Sequence, residues 1–136
     1  MVTIRENVPL APYTYFKIGG PARFFAEARS EEELYEALEF ARKRNVPLWV
    51  LGGGSNVLIA DEGLPGLVII LRLADIYEVE PHKLYVGAGV AMARAVAVSV
   101  ERGLAGFEWA IGIPGTIGGS VRGNAGCFGG AMKDVI

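Results

Sequence analysis

The chain has 136 residues, 51% of them apolar and 21% charged, enough apolar side chains for a buried core and too few charges for a disordered segment. Thirteen basic residues against fifteen acidic ones leave a net charge of −2, which excludes the electrostatic footprint of a nucleic-acid binder or of a protein held on anionic lipid. The single cysteine, Cys127, excludes an internal disulfide and a cysteine-rich zinc site, and no metal centre is expected.

The N-terminal residues MVTIRENVPLAP lack the long apolar run of a signal peptide. No stretch reaches the roughly 18 apolar residues of a membrane span. A soluble, cytoplasmic protein is the expectation. Residues 22–28 (ARFFAEA) suit a strand. Ser30 with Glu33 matches a capping box, in which a hydroxyl and a carboxylate satisfy the first N–H groups of a helix. Leu34, Ala37, Leu38 and Ala41 follow at helical spacing, and Asn45 and Pro47 stop the helix. Arg42-Lys43-Arg44 places cations at its C-terminal end, where the dipole favours them. Residues 47–51 (PLWVL) read as a buried strand, completing a βαβ unit with a right-handed crossover.

Beyond the glycines of 52–54, Val57-Leu58-Ile59 reads as a further short strand. Gly63 and Pro65-Gly66 mark a turn, and 67–73 (LVIILRL) a strand. Residues 76–80 and 84–88 form a predicted hairpin around Pro81-His82-Lys83. A helix over about 91–102 ends at Gly103 as its left-handed residue. Ten of the nineteen glycines then fall between 103 and 130. Phe107, Trp109, Ile111, Ile113, Ile117 and Val121 are interleaved with them, which argues for closely packed backbone and not for a tether. A new strand is expected to begin in 132–136.

Three glycine patterns compete for a phosphate. A P-loop needs a lysine and a hydroxyl residue after its last glycine, and Gly52-Gly53-Gly54 is followed by Ser55-Asn56-Val57. Gly87-Ala88-Gly89 opens like a dinucleotide fingerprint, but the third glycine position is Met92 and no acidic residue lies at a strand end about 20 residues on, Glu108 falling in the Gly-rich region. A tight turn into a helix explains it better. There remain GGGSN (52–56) and GIPGTIGGSVRGNAG (112–126). In the first, bare backbone N–H groups and two small polar side chains suit an anion. In the second, Pro114 suits the first turn of a short helix, whose free N–H groups would face an anion, with Thr116 and Ser120 adding hydroxyls. Composition alone leaves open whether these loops bind a phosphate or only pack closely.

Several segments together carry a resemblance: TYFKIGGPA (14–22), LGGGSNVLI (51–59), GAG (87–89) and GLAGFEWAIGIPGTIGGSVRGNAGCFGG (103–130), in that order. The chain resembles the UDP-N-acetylenolpyruvoylglucosamine reductases of peptidoglycan precursor synthesis, and the resemblance covers nearly all of it. What it implies is an α+β FAD-binding fold of the vanillyl-alcohol oxidase and p-cresol methylhydroxylase type, not a Rossmann fold, with FAD between two small α+β subdomains, the first over 1–72 and the start of the second over 73–136. Gly52, Gly53, Gly54, Ser55, Asn56 and Val57 would hold the pyrophosphate. Ile113, Pro114, Gly115, Thr116, Gly118 and Gly119 would run along the flavin and its phosphates, joined by Ser120, Asn124 and Gly126.

The implied reaction takes a hydride from NADPH through FAD to the enolpyruvyl group of a UDP-sugar. The family's arginine, proton-donating serine and late glutamate have no counterparts in these 136 residues, so no catalytic residue is assigned. The chain is expected to be inactive alone, to lack the substrate-binding domain, and to self-associate through apolar surface. An oxidase of the same fold and a non-catalytic nucleotide-binding module are the alternative readings. His82 is expected in solvent at its turn, Cys127 as a small buried residue, and Phe107 and Trp109 in the core. Arg122 suits a phosphate or solvent equally, and Tyr13 and Tyr15 have no assigned role.

Overall fold

A computed structural model describes residues 1–136, which divide into two compact units, Met1–Leu73 and Ala74–Ile136. The first unit is built on a four-stranded sheet. Its strands are β1 (Arg5–Pro9), β2 (Pro21–Ala28), β3 (Leu48–Leu51) and β4 (Leu64–Leu71), in the order β1-β2-β4-β3. β2 and β3 both run parallel to β4, and β1 is antiparallel to β2. The strand–helix–strand unit read from sequence is present, but β4 lies between its two strands.

Helix α1 (Glu31–Arg44) begins where the capping signal places it. Ser30 Oγ accepts from the Glu33 N–H at 3.2 Å, and Glu33 Oε2 accepts from the Arg29 N–H at 2.8 Å, one residue ahead of the usual box. Asn45 ends the helix in the left-handed region, φ 50°. Ala37 and Ala41 are the buried residues of its inner face, against Phe24, Ala26, Ala28, Leu67 and Ile69 of the sheet, with Leu34 and Leu38 half-buried at the margins. Two alanines at the centre let the helix approach the strands closely.

The other face of the sheet carries no α-helix, only the 3-10 turn Ala11–Tyr13. Leu10, Phe25, Leu51, Ile59, Val68 and Ile70 form its core, with Tyr13 and Val57 packed on them. Two irregular segments cover it: 10–20, joining β1 to β2, and 52–63, joining the parallel strands β3 and β4. Residues 57–59 are not a strand. Leu58 faces solvent and Ile59 is buried, because this stretch spans the sheet face and has no strand partner of its own. The turn expected at Pro65-Gly66 is also absent. β4 starts at Leu64 and takes one more residue than β2 between the pairs Ala22–Leu64 and Phe24–Leu67. A bulge of this kind lets a central strand contain a proline.

In the second unit, β5 (Ile76–Glu80) and β6 (Lys83–Val86) form the expected hairpin, with His82 exposed at its tip at φ 66°. Helix α2 (Met92–Glu101) closes with Gly103 at φ 68°. Helix α3 (Ile117–Gly123) and a two-residue antiparallel pair, β7 (Gly126–Cys127) and β8 (Gly130–Ala131), follow. Val90, Met92, Ala95, Val96, Ala110, Ile117 and Met132 form the core, with Phe107 and Trp109 packed against it. Cys127 is half-buried. The strand expected over 132–136 is a 3-10 turn, Met132–Asp134. Asp134 Oδ2 accepts from the Ala131 N–H at 2.9 Å, a local side-chain cap that competes with extension, and Met132 is buried beneath it. No helix in either unit is long and apolar enough to cross a membrane.

The close approach of α1 makes a prediction. Ala37 is fully buried, so Ala37→Leu is expected to cost about 1–3 kcal/mol by overpacking, measured by urea unfolding, and more than Leu38→Ala at the half-buried margin.

Candidate functional site

In a sheet of parallel strands, ligands bind beyond the carboxyl ends of the strands. Here Gly52 and Gly53 follow the end of β3, and Arg72 follows the end of β4. Segment 10–20 reaches the same edge. Its Tyr15 N–H donates to the Gly54 carbonyl at 2.9 Å, and the Gly20 N–H returns to the Ala60 carbonyl at 2.9 Å. Thr14 is buried, with its hydroxyl 3.2 Å from the Ala11 carbonyl and 3.0 Å from that of Ile18, and so fixes the bend that presents Tyr15 and Lys17.

These elements border an open cavity of about 230 Å³ lined by Pro12 to Tyr15, Lys17, Gly52, Gly53, Ile70 and Arg72. The lining offers bare glycine backbone, two cations and no carboxylate. Its volume lies below the roughly 300–1,000 Å³ of pockets that take a whole drug-sized ligand. The cavity suits an anionic piece of a larger molecule, and a diphosphate fits that donor set.

The three consecutive glycines do not share one purpose. Gly54 has φ 69°, and a side chain there would collide with the Tyr13 carbonyl and come within 3.0 Å of the Thr14 Cα. Its lack of a side chain serves the contact between segments 10–20 and 52–63. Gly53 is exposed and Gly52 half-buried, and both border the cavity. Ser55 and Val57 are half-buried and Asn56 is exposed.

Sequence reasoning missed Lys17, Arg72 and Glu27. Arg72 Nε and Nη2 donate to Glu27 Oε1 at 3.1 and 2.7 Å, and Arg29 Nη2 donates to Glu27 Oε2 at 3.2 Å. The hydrogen bond from Arg72 holds the Glu27 carboxyl below its ordinary value of 4.5, against the opposing effect of burial, and the charges of Arg72, Arg29 and Arg5 add to it. The alternation of β2 and β4 was the available signal, since it puts Glu27 and Arg72 on the loop-covered face with Phe25 and Ile70.

In the second unit, the segment 115–118 is stitched to 87–92. The Met92 N–H donates to the Gly115 carbonyl at 2.9 Å, and Ala91 and Thr116 form an antiparallel bridge. The expectation of free N–H groups at a helix opened by Pro114 is not met. α3 starts at Ile117, capped by Thr116. The Ile117 N–H goes to the Val90 carbonyl (2.8 Å), the Gly118 N–H to the Ala88 carbonyl (2.9 Å) and the Gly119 N–H to Thr116 Oγ1 (3.4 Å). The N–H groups of Ile117, Gly118 and Gly119 are spent on the chain itself and are not offered to an anion. Gly118 is required by the same contact, since a Cβ there would lie 2.8 Å from the Ala88 Cβ.

Asn124 ends α3 at φ 47°, and its Oδ1 accepts from the Lys133 N–H at 3.0 Å. Ser120 is buried, and Gly126 pairs with Ala131. Pro114, Gly119 and Arg122 are exposed, while Ile113, Gly115 and Thr116 are half-buried.

Residues 22–136 match the family model described as an FAD binding domain. The chain is 45% identical over 134 residues to the UDP-N-acetylenolpyruvoylglucosamine reductase of Synechococcus sp. (strain JA-3-3Ab), covering 98% of this chain and 43% of that protein. It is 40% identical over 135 residues to the protein of that name from Streptococcus pyogenes serotype M5 (strain Manfredo), covering 99% and 46%. The crystal structure of UDP-N-acetylenolpyruvylglucosamine reductase (MurB) from Thermus caldophilus superposes with a TM-score of 0.78 at 37% identity, over 98% of this chain and 47% of that one. A flavoenzyme of caerulomycin biosynthesis, CrmK, shares the fold at a TM-score of 0.61 and 16% identity, over 74% and 22%. The chain spans about half the length of the curated relatives it matches.

Gly54→Ala separates the two uses of the glycine loop. It is expected to lower stability by at least about 1–3 kcal/mol, because it combines a left-handed backbone with a collision against fixed main chain. Thermal or urea unfolding checks this without any ligand.

Proposed function

The chain belongs to the FAD binding domain family, and on that premise we propose that it holds FAD as the flavin-binding part of a UDP-N-acetylenolpyruvoylglucosamine reductase. The observation that carries the reading is the cavity at the strand ends of the first unit, where glycine backbone and two cations border a space sized for a diphosphate. Gly52, Gly53, Ser55 and Asn56 are the residues proposed to take the pyrophosphate. Val57 and Gly54 act by holding the loop, Val57 on the sheet core and Gly54 against segment 10–20.

In the second unit the proposed contacts run along Ile113, Pro114, Gly115, Thr116, Gly118 and Gly119, with Ser120, Asn124 and Gly126. Since the N–H groups of Ile117, Gly118 and Gly119 are engaged within the chain, the contacts proposed at Pro114 and Gly119 are van der Waals approaches to outward backbone. The close backbone pairing of 115–118 with 87–92 fixes that surface before any ligand arrives, so little ordering entropy opposes binding.

FAD, when bound, supplies the acceptance of a hydride from NADPH and its delivery to the enolpyruvyl carbon–carbon double bond of a UDP-sugar. What these 136 residues contribute is binding and orientation. None of them is assigned to proton transfer. We place the protein in the cytoplasm, where NADPH and nucleotide sugars are available. Self-association of the isolated chain is proposed on the exposure of Phe128 and Leu58, at 88% and 75%.

Two outcomes test the reading. Gly53→Val is expected to weaken FAD binding at least tenfold in a flavin fluorescence titration while moving the unfolding midpoint little, because Gly53 is exposed and borders the cavity. Unchanged flavin affinity would remove the loop from the site. A protein joining these residues to the remaining half found in the relatives is expected to oxidise NADPH only when the enolpyruvyl UDP-sugar is present. Substrate-independent oxygen consumption at a comparable rate would favour an oxidase instead.

A further inference from the structure

We propose that the outer edge of β3 is a pairing surface for a second copy of this chain, the two β3 strands running antiparallel about a two-fold axis. The inference is independent of the flavin reading. The sheet of the first unit has two edges, β1 and β3, and they are built differently. β1 is guarded. Asn7 stands at φ 52° between the paired residues Glu6 and Val8, Arg5 and Glu6 are exposed, and Pro9 ends the strand. Kinks, charges and prolines of this kind keep other strands off an edge. β3 has none of them: Leu48, Trp49, Val50 and Leu51 include no charge and no proline, and their register with β4 is unbroken. The Leu67 N–H donates to the Pro47 carbonyl at 2.9 Å, so by strand alternation the backbone groups facing β4 belong to Pro47, Trp49 and Leu51. Those of Leu48 and Val50 face away from it, in residues 39% and 56% exposed. An edge of this kind is a template for strand addition.

Self-complementarity selects the occupant. An antiparallel pair centred on Trp49 sets Leu48 of each copy opposite Val50 of the other, and the outward N–H and C=O groups of both residues then bond across the axis. Both side chains lie on the α1 face of the sheet, in register with Leu67 and Ile69, so the two exposed apolar residues of the strand cover each other. On the opposite face Trp49 meets Trp49 of the second copy, an aromatic cross-strand pair of the kind that stabilises sheets. One symmetric register thus serves backbone and side chains together, as an isologous contact requires. The charges agree with it. α1 begins with exposed Glu31 and Glu32 and ends with exposed Arg42, Lys43 and Arg44. The two-fold keeps both helices on one face of the joined sheet and runs them in opposite directions, the acidic start of one toward the basic end of the other. A parallel pairing would set like charges side by side. Four residues of strand make a small interface, so the expected dimer is weak.

The test is sedimentation velocity of the 136-residue chain over a range of concentrations, with amide hydrogen exchange read by NMR at the two ends of that range. The average mass is expected to rise with concentration from one chain toward two. The Leu48 and Val50 amides are expected to exchange fast in the dilute sample and several-fold more slowly in the concentrated one. Those of Trp49 and Leu51, already in the β3–β4 ladder, stay slow in both. Val50→Lys puts a charge on the shared edge and is expected to weaken dimerisation about tenfold, while the unfolding midpoint moves little because Val50 is exposed. Val50→Thr, still β-branched, is expected to keep the dimer. The wild-type exchange pattern needs no variant, so it decides the matter even if Val50→Lys folds poorly. A chain that stays monomeric at every concentration overturns the proposal and leaves this edge to the further half found in the relatives or to another partner. A dimer in which Leu48 and Val50 exchange fast throughout also overturns it. So does a dimer kept in Val50→Lys and lost when Leu58→Ser is combined with Phe128→Ser, and the association is then the one proposed at Leu58 and Phe128.

Discussion

The first unit depends on two stretches of irregular backbone packing directly against one another. A parallel β3–β4 connection is ordinarily made by a helix that satisfies its own hydrogen bonds and lays an apolar face on the sheet. Segment 52–63 has no such helix, so its backbone groups need partners elsewhere. Segment 10–20 supplies them, through Tyr15 to Gly54 and Gly20 to Ala60. The arrangement of the cavity on that face follows from this exchange. It places Lys17 and the tyrosines at the carboxyl edge of the strands, leaves Gly52 and Gly53 at the rim of the cavity, and makes the third glycine a requirement of packing.

The second unit solves a similar problem in the opposite way. Its Gly-rich segment is drawn in as an extra strand-like partner for 87–92, and the bonds so formed use the donors that a helix start would otherwise offer to an anion. The two glycine runs, alike in composition, therefore differ in chemistry. One borders a cation-lined cavity. The other presents a preformed backbone surface whose donors at Ile117, Gly118 and Gly119 are already paired.

The strands and helices that carry clear periodicity or end signals were legible without coordinates. Ser30, Glu33 and Asn45 bracket α1 because caps and stops are local chemistry, decided within a few residues. The hairpin around His82 and the end of α2 at Gly103 are local in the same sense. The misreadings share a cause. Val57-Leu58-Ile59 and 132–136 have strand-like composition, but a strand needs a neighbour, and neither segment finds one. Pro65-Gly66 has turn composition, yet a bulge in β4 absorbs it. Pro114 is a good first residue for a helix, but the pairing with 87–92 delays α3 to Ile117.

For the candidate site, the sequence by itself determined that two glycine segments needed close backbone approaches and which flavoprotein family the ordered motifs resemble. It determined these because residue type and spacing along the chain carry them. Only the tertiary structure decided what each glycine approaches: the Tyr13 carbonyl for Gly54, the cavity for Gly53, and Ala88 for Gly118. It also decided that Glu27 and Arg72, 45 residues apart in sequence, form one ion pair at the edge of that cavity. Strand order and register set those distances. They are properties of the sheet as a whole, which the hydrophobic pattern of any single strand does not encode.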